Sequence, residues 1–220
     1  MKVGVDMAGK FITFEGTDGA GKTTILNMVL EYLKDTMGDQ LVTSREPGGN
    51  PIAESIREVI LDRQNIEMDK RTEALLYAAA RRQNIEQTVK PAIAANKLVI
   101  CDRYLDSSIA YQGGGRQIGE KEIYEMNQFA TEGFLPDLTI YFNLPVEEGL
   151  KRIAQNRNEN DIDRLDVETI DFHNRVYDAY QRLAKQQPER IKSVDATQSI
   201  DAVYQNVLEI LQPYLEEFKK

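Results

Sequence analysis

The stretch from Gly16 to Thr24 reads GTDGAGKTT, and it constrains the fold of this 220-residue chain more than any other segment. It satisfies the pattern Gly16-x-x-x-x-Gly21-Lys22-Thr23 of a phosphate-binding P-loop, with the strand-like run KFITFEG before it and the helical run TTILNMVLEYLKDTM after it. Glycines let backbone N–H groups turn toward phosphate oxygens, and a helix N-terminus favours negative charge. Lys22 would reach the outer phosphates and Thr23 would ligate magnesium. The strand-loop-helix context disfavours a chance glycine-rich turn.

Strand-like and helical segments alternate along the chain. After KFITFEG, short apolar or β-branched runs recur at LVTS, KLVICD, DLTIYFNL and RIKSVD. Helices are predicted for TTILNMVLEYLKDTM, residues 52–61, residues 72–96 with an interruption near Pro91, SSIAYQ, residues 120–131, VEEGLKRIAQ, residues 169–187 and residues 200–211. This alternation predicts an α/β fold with a five-stranded parallel sheet that is covered by helices on both faces.

The length of the chain suits one compact domain, and we expect residues 1–220 to form it. The segment NRNENDID, residues 156–163, has almost no apolar content, so we predict a short mobile lid over about residues 152–166. Met7 leads directly into the first strand, and residues 1–9 are expected to be a flexible extension.

Composition excludes several classes of partner. The formal net charge of −9 argues against a nucleic-acid or anionic-membrane surface, since both need a basic face. Cys101 is the single cysteine of the chain, so no disulfide can form within it, which fits a reducing compartment. The sequence has no run of about 18 apolar residues. We therefore expect a cytoplasmic protein that binds small molecules.

Charged residues near predicted strand ends are candidates for phosphate and metal binding. Asp102 follows the buried strand KLVIC, where it could either hold magnesium or cap a turn, and the P-loop favours the metal role. In an acidic protein that binds phosphorylated molecules, some arginines must converge on phosphate. The candidates are Arg45, Arg57, Arg81, Arg103, Arg152, Arg157 and Arg164.

Four other residues have ordinary structural interpretations. Cys101 fits a small core residue, and His173, the single histidine, lies in a polar helical stretch where an exposed or capping position is expected. Tyr77 and Tyr111 would by default be core aromatics on amphipathic helices.

Several segments occur in the order and spacing of one family: FEGTDGAGKTT, REPGG, TEALLYAAARR, CDRYLDSSIAYQGGGR, DRLD and VDATQSIDAV. On these segments, which span nearly the whole chain, the protein resembles the thymidylate kinase family, in its bacterial type with the basic residues in the lid. The resemblance implies a nucleoside-monophosphate-kinase fold, ATP- and magnesium-dependent phosphorylation of dTMP to dTDP, and a homodimer.

The resemblance also assigns the sugar and phosphate contacts of dTMP. Asp18 would accept a hydrogen bond from the 3′-hydroxyl, so its carboxylate faces the acceptor rather than the phosphates of ATP. Arg57 and Arg103 would hold the phosphate of dTMP, with Arg45 assisting. Tyr111 would lie under the 2′ carbon and exclude a ribose hydroxyl by bulk.

For the base, the resemblance implies that Tyr77 stacks on thymine, where the family more often has phenylalanine. Arg81 would donate to a carbonyl of the base, and Ser108 and Gln112 would complete its recognition. Glu46 belongs to the same site, and the Glu46–Pro47 peptide bond is expected to be cis.

The ATP site implied by the resemblance comprises Gly16, Gly19, Ala20, Gly21, Lys22, Thr23, Thr24, Arg157, Arg164, Ala196 and Thr197. Ala20 stands where other members carry a basic residue, so the charge on the migrating phosphoryl group would come from the lid. Arg157 is the first candidate and Arg164 the second. Lys22, Arg103, Arg157 and Asp18 are the predicted catalytic residues, and Thr23 and Asp102 the predicted magnesium ligands.

Two alternatives stay open. The protein could phosphorylate another deoxynucleotide, such as dUMP or dCMP, because the base pocket decides that choice. It could also be a P-loop switch protein, although the base-reading N-K-x-D of GTPases is absent: the nearest segment, residues 96–99, reads NKLV. A catalytically silent binding protein is disfavoured because Lys22, Asp102 and the lid arginines are all present.

Overall fold

The computed structural model describes residues 9–156 and 168–219, and its centre is a parallel β-sheet. The strands are β1 (Lys10–Gly16), β2 (Leu41–Arg45), β3 (Leu98–Asp102), β4 (Leu138–Asn143) and β5 (Ile191–Asp195). Their spatial order is β2-β3-β1-β4-β5, and every neighbouring pair is parallel. The predicted α/β class and the five-stranded parallel sheet are confirmed.

Helices connect the strands and cover both faces of the sheet. They are α1 (Lys22–Met37), α2 (Pro51–Leu61), α3 (Lys70–Asn84), α4 (Lys90–Ala94), α5 (Leu105–Ser108), α6 (Glu120–Thr131), α7 (Val146–Asn156), α8 (Ile170–Gln186) and α9 (Ile200–Glu216). Two π-helical segments, Ile85–Val89 and Ile109–Gly115, continue α3 and α5. Short 3-10 turns follow α1 and α9, at Gly38–Gln40 and Glu217–Lys219.

The helix predicted for residues 72–96 differs in detail from the structure. It begins at Lys70, where the side chain of Asp69 accepts hydrogen bonds from two backbone N–H groups of the first turn. Its interruption is the π-helical turn Ile85–Val89, which ends just before Pro91. Proline lacks a backbone donor and crowds the preceding turn, so the wider turn lies where the regular hydrogen bonding would fail.

The alternation of β1 explains the two-sided core. Phe11 joins a buried cluster with residues of α5, α6 and α8, whereas Ile12 and Phe14 join the cluster formed with α1 and α9. Strands buried on both faces read as continuous apolar runs, as KLVIC and DLTIYFNL do. Cys101 is buried in the first cluster, as predicted, and burial raises the pKa of its thiol.

His173 is buried, contrary to the expectation of an exposed or capping residue. It shares the inward face of α8 with Val176 and Tyr180, three and seven residues further on, and its ring lies 5.6 Å from that of Phe172. Spacing of three and seven residues places side chains on one helix face. The polar residues beside His173 in the sequence gave no indication that it would be buried.

Three further expectations concern the ends and loops of the chain. The Glu46–Pro47 peptide bond is cis, as predicted. Gly9 is buried, with its N–H 3.3 Å from the carbonyl of Ile93, whereas the rest of the predicted extension, residues 1–8, lies outside the described residues. In the part of the chain that the structure describes, no helix is both long and apolar enough to cross a membrane.

Candidate active site

Two cavities meet at the P-loop, where β1, β2 and β3 end. We call the first the acceptor cavity. It is lined by all ten residues that the resemblance assigned to the dTMP site: Asp18, Arg45, Glu46, Arg57, Tyr77, Arg81, Arg103, Ser108, Tyr111 and Gln112. The second, the donor cavity, is lined by the P-loop from Thr17 to Thr24 and by Arg152 and Ala196, among others. Four residues line both cavities: Asp18, Lys22, Thr23 and Arg103.

The P-loop glycines permit a backbone that other residues would strain. Gly19 has φ 78°, and a Cβ there would lie 2.3 Å from the carbonyl oxygen of Gly149. Gly21 has φ 77° and is the N-cap of α1, whose first turn contains no acidic side chain. The N–H groups and positive end of α1 are therefore available to an anion in the donor cavity.

Lys22 and Asp102 form an ion pair at the boundary between the two cavities. Burial and the nearby charge of Arg103 lower the pKa of the Lys22 ammonium, and the carboxylate of Asp102 partly offsets this. Thr23, the next residue, is exposed and lines the acceptor cavity together with Asp102. A lysine cation, a hydroxyl and a carboxylate are thus collected beside the P-loop.

Asp18, the acid within the P-loop, is held from the acceptor side. Its Oδ1 lies 2.9 Å from Nη2 of Arg103, and its Oδ2 accepts a hydrogen bond of 2.8 Å from the hydroxyl of Tyr111. A guanidinium and a hydroxyl compensate the carboxylate, so its negative charge is tolerated beside a phosphate site.

Arg103 is fixed by both its backbone and its side chain. Its φ of 66° is unusual for a residue other than glycine, and its N–H donates to the carbonyl of Phe14 at 3.0 Å. Nη1 donates to the carbonyl of Gly16 at 2.9 Å, and the guanidinium carbon lies 5.1 Å from the ring centre of Tyr111. Burial opposes its charge, but the surrounding Tyr111 and Asp18 raise the pKa of Arg103, so the guanidinium stays charged.

Arg81 forms the buried wall of the acceptor cavity, with only 1% of its surface exposed. Nε donates to Glu46 at 2.7 Å, Nη1 to Asn127 at 2.5 Å, and Nη2 to both Tyr104 and Ser108 at 3.0 Å. A guanidinium has five N–H groups, so these contacts leave one N–H of Nη1 for a ligand. Sequence reasoning found Glu46 and Arg81 but missed that they are partners.

The outer wall of the acceptor cavity is less rigid. Arg57 donates from Nη1 to the carbonyl of Pro47 at 2.9 Å, and Tyr77 is half-buried rather than a core aromatic. Arg45 lies 2.9 Å from Glu54 and is more than half exposed. These side chains can adjust to a ligand more readily than Arg81 or Arg103.

On the far side of the donor cavity, the chain after β5 supplies Ala196, Gln198 and Ser199. Thr197 instead turns to Asp195, to which its hydroxyl donates at 2.6 Å. Arg152 donates to the carbonyl of Ala196 at 3.1 Å. Arg157 and Arg164, the two candidates for the lid charge, lie outside the described residues.

Glu15, near the end of β1, lines neither cavity but contacts Tyr104 and Ser107 of the acceptor cavity from behind, a role that sequence reasoning missed. It is fully buried, and its carboxylate accepts hydrogen bonds from the hydroxyls of Ser107 (2.5 Å) and Tyr180 (2.8 Å) and from the N–H of Tyr104 (2.7 Å). Burial and the neighbouring Asp106 raise its pKa to about 7. Glu15 therefore ties β1 to the segment after Arg103 and to α8.

Two features together define a P-loop nucleoside-monophosphate kinase. One is a P-loop at the carboxyl edge of a parallel sheet, and the other is an adjoining, arginine-lined cavity that shares four residues with the P-loop cavity. The family model for thymidylate kinase matches residues 14–207. The chain therefore belongs to the thymidylate kinase family.

Individual relatives agree with this assignment. The thymidylate kinase of Levilactobacillus brevis is 57% identical over 212 residues, which cover 96% of this chain and 99% of that protein. The thymidylate kinase of Pediococcus pentosaceus is 57% identical over 209 residues, covering 95% of this chain and all of that protein. The crystal structure of thymidylate kinase from Ehrlichia chaffeensis is 32% identical, has a TM-score of 0.76, and aligns with 93% of this chain and 99% of its own.

Proposed function

We propose that this chain transfers the γ-phosphoryl group of ATP to dTMP, giving ADP and dTDP. The observation that carries the proposal is that four residues line both cavities. A polyphosphate site and an arginine-lined acceptor site therefore lie on either side of the same side chains. Family membership is consistent with this reaction. In it, an oxygen of the dTMP phosphate forms a bond to the γ-phosphorus while the bond to the β–γ bridging oxygen breaks.

In this proposal ATP occupies the donor cavity. The P-loop backbone that lines this cavity from Thr17 to Thr24 cradles the phosphates, with Gly16 just before it at the end of β1, and Lys22 contacts the outer phosphates. Ala196 and Thr197 lie toward adenine, and neither donor of Thr197 is directed at the base, since its hydroxyl and its backbone N–H both donate to Asp195.

Magnesium fits the oxygens beside Lys22. Thr23 and Asp102 would hold it, and bound magnesium would neutralise charge on the phosphates of ATP. Within residues 9–156 and 168–219, no group of three or more His, Cys, Asp or Glu side chains is arranged to bind a metal. Kinase magnesium is bound by one or two carboxylates together with substrate phosphates, so the two protein oxygens suffice.

In the acceptor cavity, Arg103 and Arg57 hold the phosphate of dTMP, with Arg45 assisting from the rim. Asp18 accepts from the 3′-hydroxyl, and Tyr111, which already donates to Asp18, excludes a 2′-hydroxyl by bulk. Tyr77 stacks on the base, while Arg81, Ser108 and Gln112 contact its edge. Glu46 acts on the base through Arg81.

Transfer requires positive charge around the migrating phosphoryl group. Lys22 and Arg103, which line both cavities, supply part of this positive charge. Arg157, and after it Arg164, would supply the rest from the lid, and Arg152 is the nearest described alternative because it lines the donor cavity.

We further propose a homodimer formed through α2, α3 and α6. Packing joins α2 to α3 and α3 to α6, and each helix exposes an apolar side chain: Val59 is 47% exposed, Leu75 57% and Phe129 92%. Exposed apolar side chains on adjacent helices are typical of an interface with a second copy. We also propose that the protein is cytoplasmic and that residues 1–220 form a single domain.

The proposed reaction is tested by measuring ADP release from ATP and magnesium with dTMP, dUMP, dCMP, ribose TMP, dAMP, dGMP, thymidine or no acceptor. We expect strong preference for dTMP, weaker turnover with the ribose form because of Tyr111, and little ADP without acceptor. Preference for dUMP or dCMP would establish the alternative kinase. ADP release that is independent of acceptor, with tight binding of GTP, would favour the switch protein.

A further inference from the structure

Gln112 lies in the acceptor cavity with its side-chain amide held from behind. The residue is 1% exposed, and its Nε2 donates to Oε1 of Glu73 at 2.9 Å. Glu73 comes from α3 and has no exposed surface, whereas Gln112 comes from the π-helical segment after α5. The contact thus joins α3 to the π-helical segment that supplies Gln112 to the acceptor cavity.

Arg116 forms an ion pair with the carboxylate of Glu73. Its Nε lies 3.2 and 3.3 Å from the two carboxylate oxygens, and its Nη2 lies 3.1 Å from Oε2. Arg116 also pairs with Glu168 through Nη1 and lies 4.9 Å from the ring centre of Phe172. A paired, buried carboxylate accepts hydrogen bonds and donates none.

This network determines which way the amide of Gln112 faces. If the amide turned over, its carbonyl oxygen would meet Oε1 of Glu73, and two buried acceptors would face each other with no proton between them. With Nε2 directed to Glu73, the carbonyl oxygen is on the other arm of the amide. The acceptor cavity, which Arg81 also lines, therefore presents a hydrogen-bond-accepting oxygen at Gln112.

We propose that Glu73 is a positioning residue that selects the pyrimidine. By fixing the amide of Gln112, it makes the site accept thymine and uracil, which carry a hydrogen on N3, and reject cytosine, whose N3 is itself an acceptor. Arg81 contributes to the same choice, since a cation suits the O4 of thymine and opposes the amino group of cytosine. The proposal rests on the proposed contact between Gln112 and the base.

The test is the variant Glu73→Gln, assayed for kcat/KM with dTMP, dUMP and dCMP. A glutamine at position 73 can accept or donate, so the amide of Gln112 is released from its fixed orientation. We expect the preference for dTMP over dCMP to fall by about tenfold, which corresponds to the loss of one oriented buried hydrogen bond. The ratio of dTMP to dUMP should stay within about twofold, because thymine and uracil share the same hydrogen-bonding edge.

The matched control is Glu168→Gln, which removes the other carboxylate partner of Arg116 without touching Gln112. It should retain the wild-type ratio of dTMP to dCMP. The double variant Glu73→Gln/Arg116→Gln removes both charges of the buried pair, and it serves if the single variant folds poorly. It should also lose discrimination against dCMP.

Equal losses with dTMP, dUMP and dCMP in folded Glu73 variants would overturn the proposal, since general damage does not distinguish bases. The variant Gln112→Leu separates this failure from failure of the underlying assignment. If Gln112→Leu leaves every KM unchanged, Gln112 does not contact the base. If it raises KM for dTMP while the Glu73 variants keep the wild-type dTMP to dCMP ratio, Gln112 reads the base without being set by Glu73.

Discussion

At the scale of single residues, Asp18 shows how a carboxylate can sit in a phosphate-binding loop. It is paired with Arg103 and accepts from Tyr111, both on the acceptor side of the loop. If the carboxylate also reads the 3′-hydroxyl of dTMP, Asp18→Asn should lower kcat/KM with dTMP by about 10- to 100-fold and lower it far less with the 3′-deoxy analogue. Steady-state kinetics with the two acceptors measures the difference.

The control for this prediction is Tyr111→Phe, which keeps the ring in the acceptor cavity but removes the hydroxyl that donates to Asp18. It should affect the two acceptors to a similar degree. If Asp18→Asn also lost activity equally with both, Asp18 would act by orienting Arg103 and not by reading the sugar.

At the scale of elements, Glu15 joins the end of β1 to the segment after Arg103 and to α8. Its pKa is raised from an ordinary 4.5 to about 7 by burial and by Asp106, against the opposing effects of Arg103, Ser107 and Tyr180. The folded state therefore binds the proton more tightly than the unfolded state. Protonated Glu15 therefore stabilises the folded state. This contribution to the free energy of unfolding is fully present below pH 4.5 and is lost as the pH rises through about 7.

Glu15→Gln should remove this pH dependence, because the amide remains neutral throughout. We compare the free energy of unfolding of the variant with that of the wild type at each pH. The variant's value minus the wild-type value should be about 2 to 3 kcal/mol larger at pH 8 than at pH 5. Urea denaturation at the two pH values measures it, and Glu120→Gln, at the N-terminus of α6, is a control outside this cluster. A difference between variant and wild type that is the same at both pH values would mean that Glu15 does not titrate in this range.

At the scale of the whole molecule, the apolar side chains exposed by α2, α3 and α6 determine the proposed assembly. A glutamate in place of Leu75 or Phe129 would bury a charge in the interface, so each variant should shift the protein from dimer to monomer. Sedimentation equilibrium detects the shift, and thermal unfolding of the wild type should depend on protein concentration.

Tyr32→Glu is the control for the dimer. Tyr32 is 40% exposed on α1, whose buried residues belong to the core on the other face of the sheet. This variant should remain dimeric. A wild type that is monomeric at micromolar concentration would contradict the proposed dimer. A dimer that survives both Leu75→Glu and Phe129→Glu would mean that the interface lies on another surface.

The sequence by itself determined the features that depend on neighbouring residues. The strand, glycine-rich turn and helix around Lys22 follow from local periodicity and backbone freedom, and the apolar runs predicted each strand of the sheet. Through its family resemblance, the sequence also identified many of the residues that line the acceptor cavity, although not Leu61, Tyr104 or Ser107, and it predicted the cis bond before Pro47.

Only the tertiary structure decided the strand order and the partner of each buried charge. Asp18 meets Arg103 across 85 residues, Glu46 meets Arg81 across 35, and Glu73 meets Gln112 across 39. Glu15 and His173 are buried although their sequence neighbours gave no such indication. The physical reason is that hydrophobic periodicity is encoded over a few residues, whereas ion pairs, pKa values and amide orientations depend on which elements pack together once the sheet has formed.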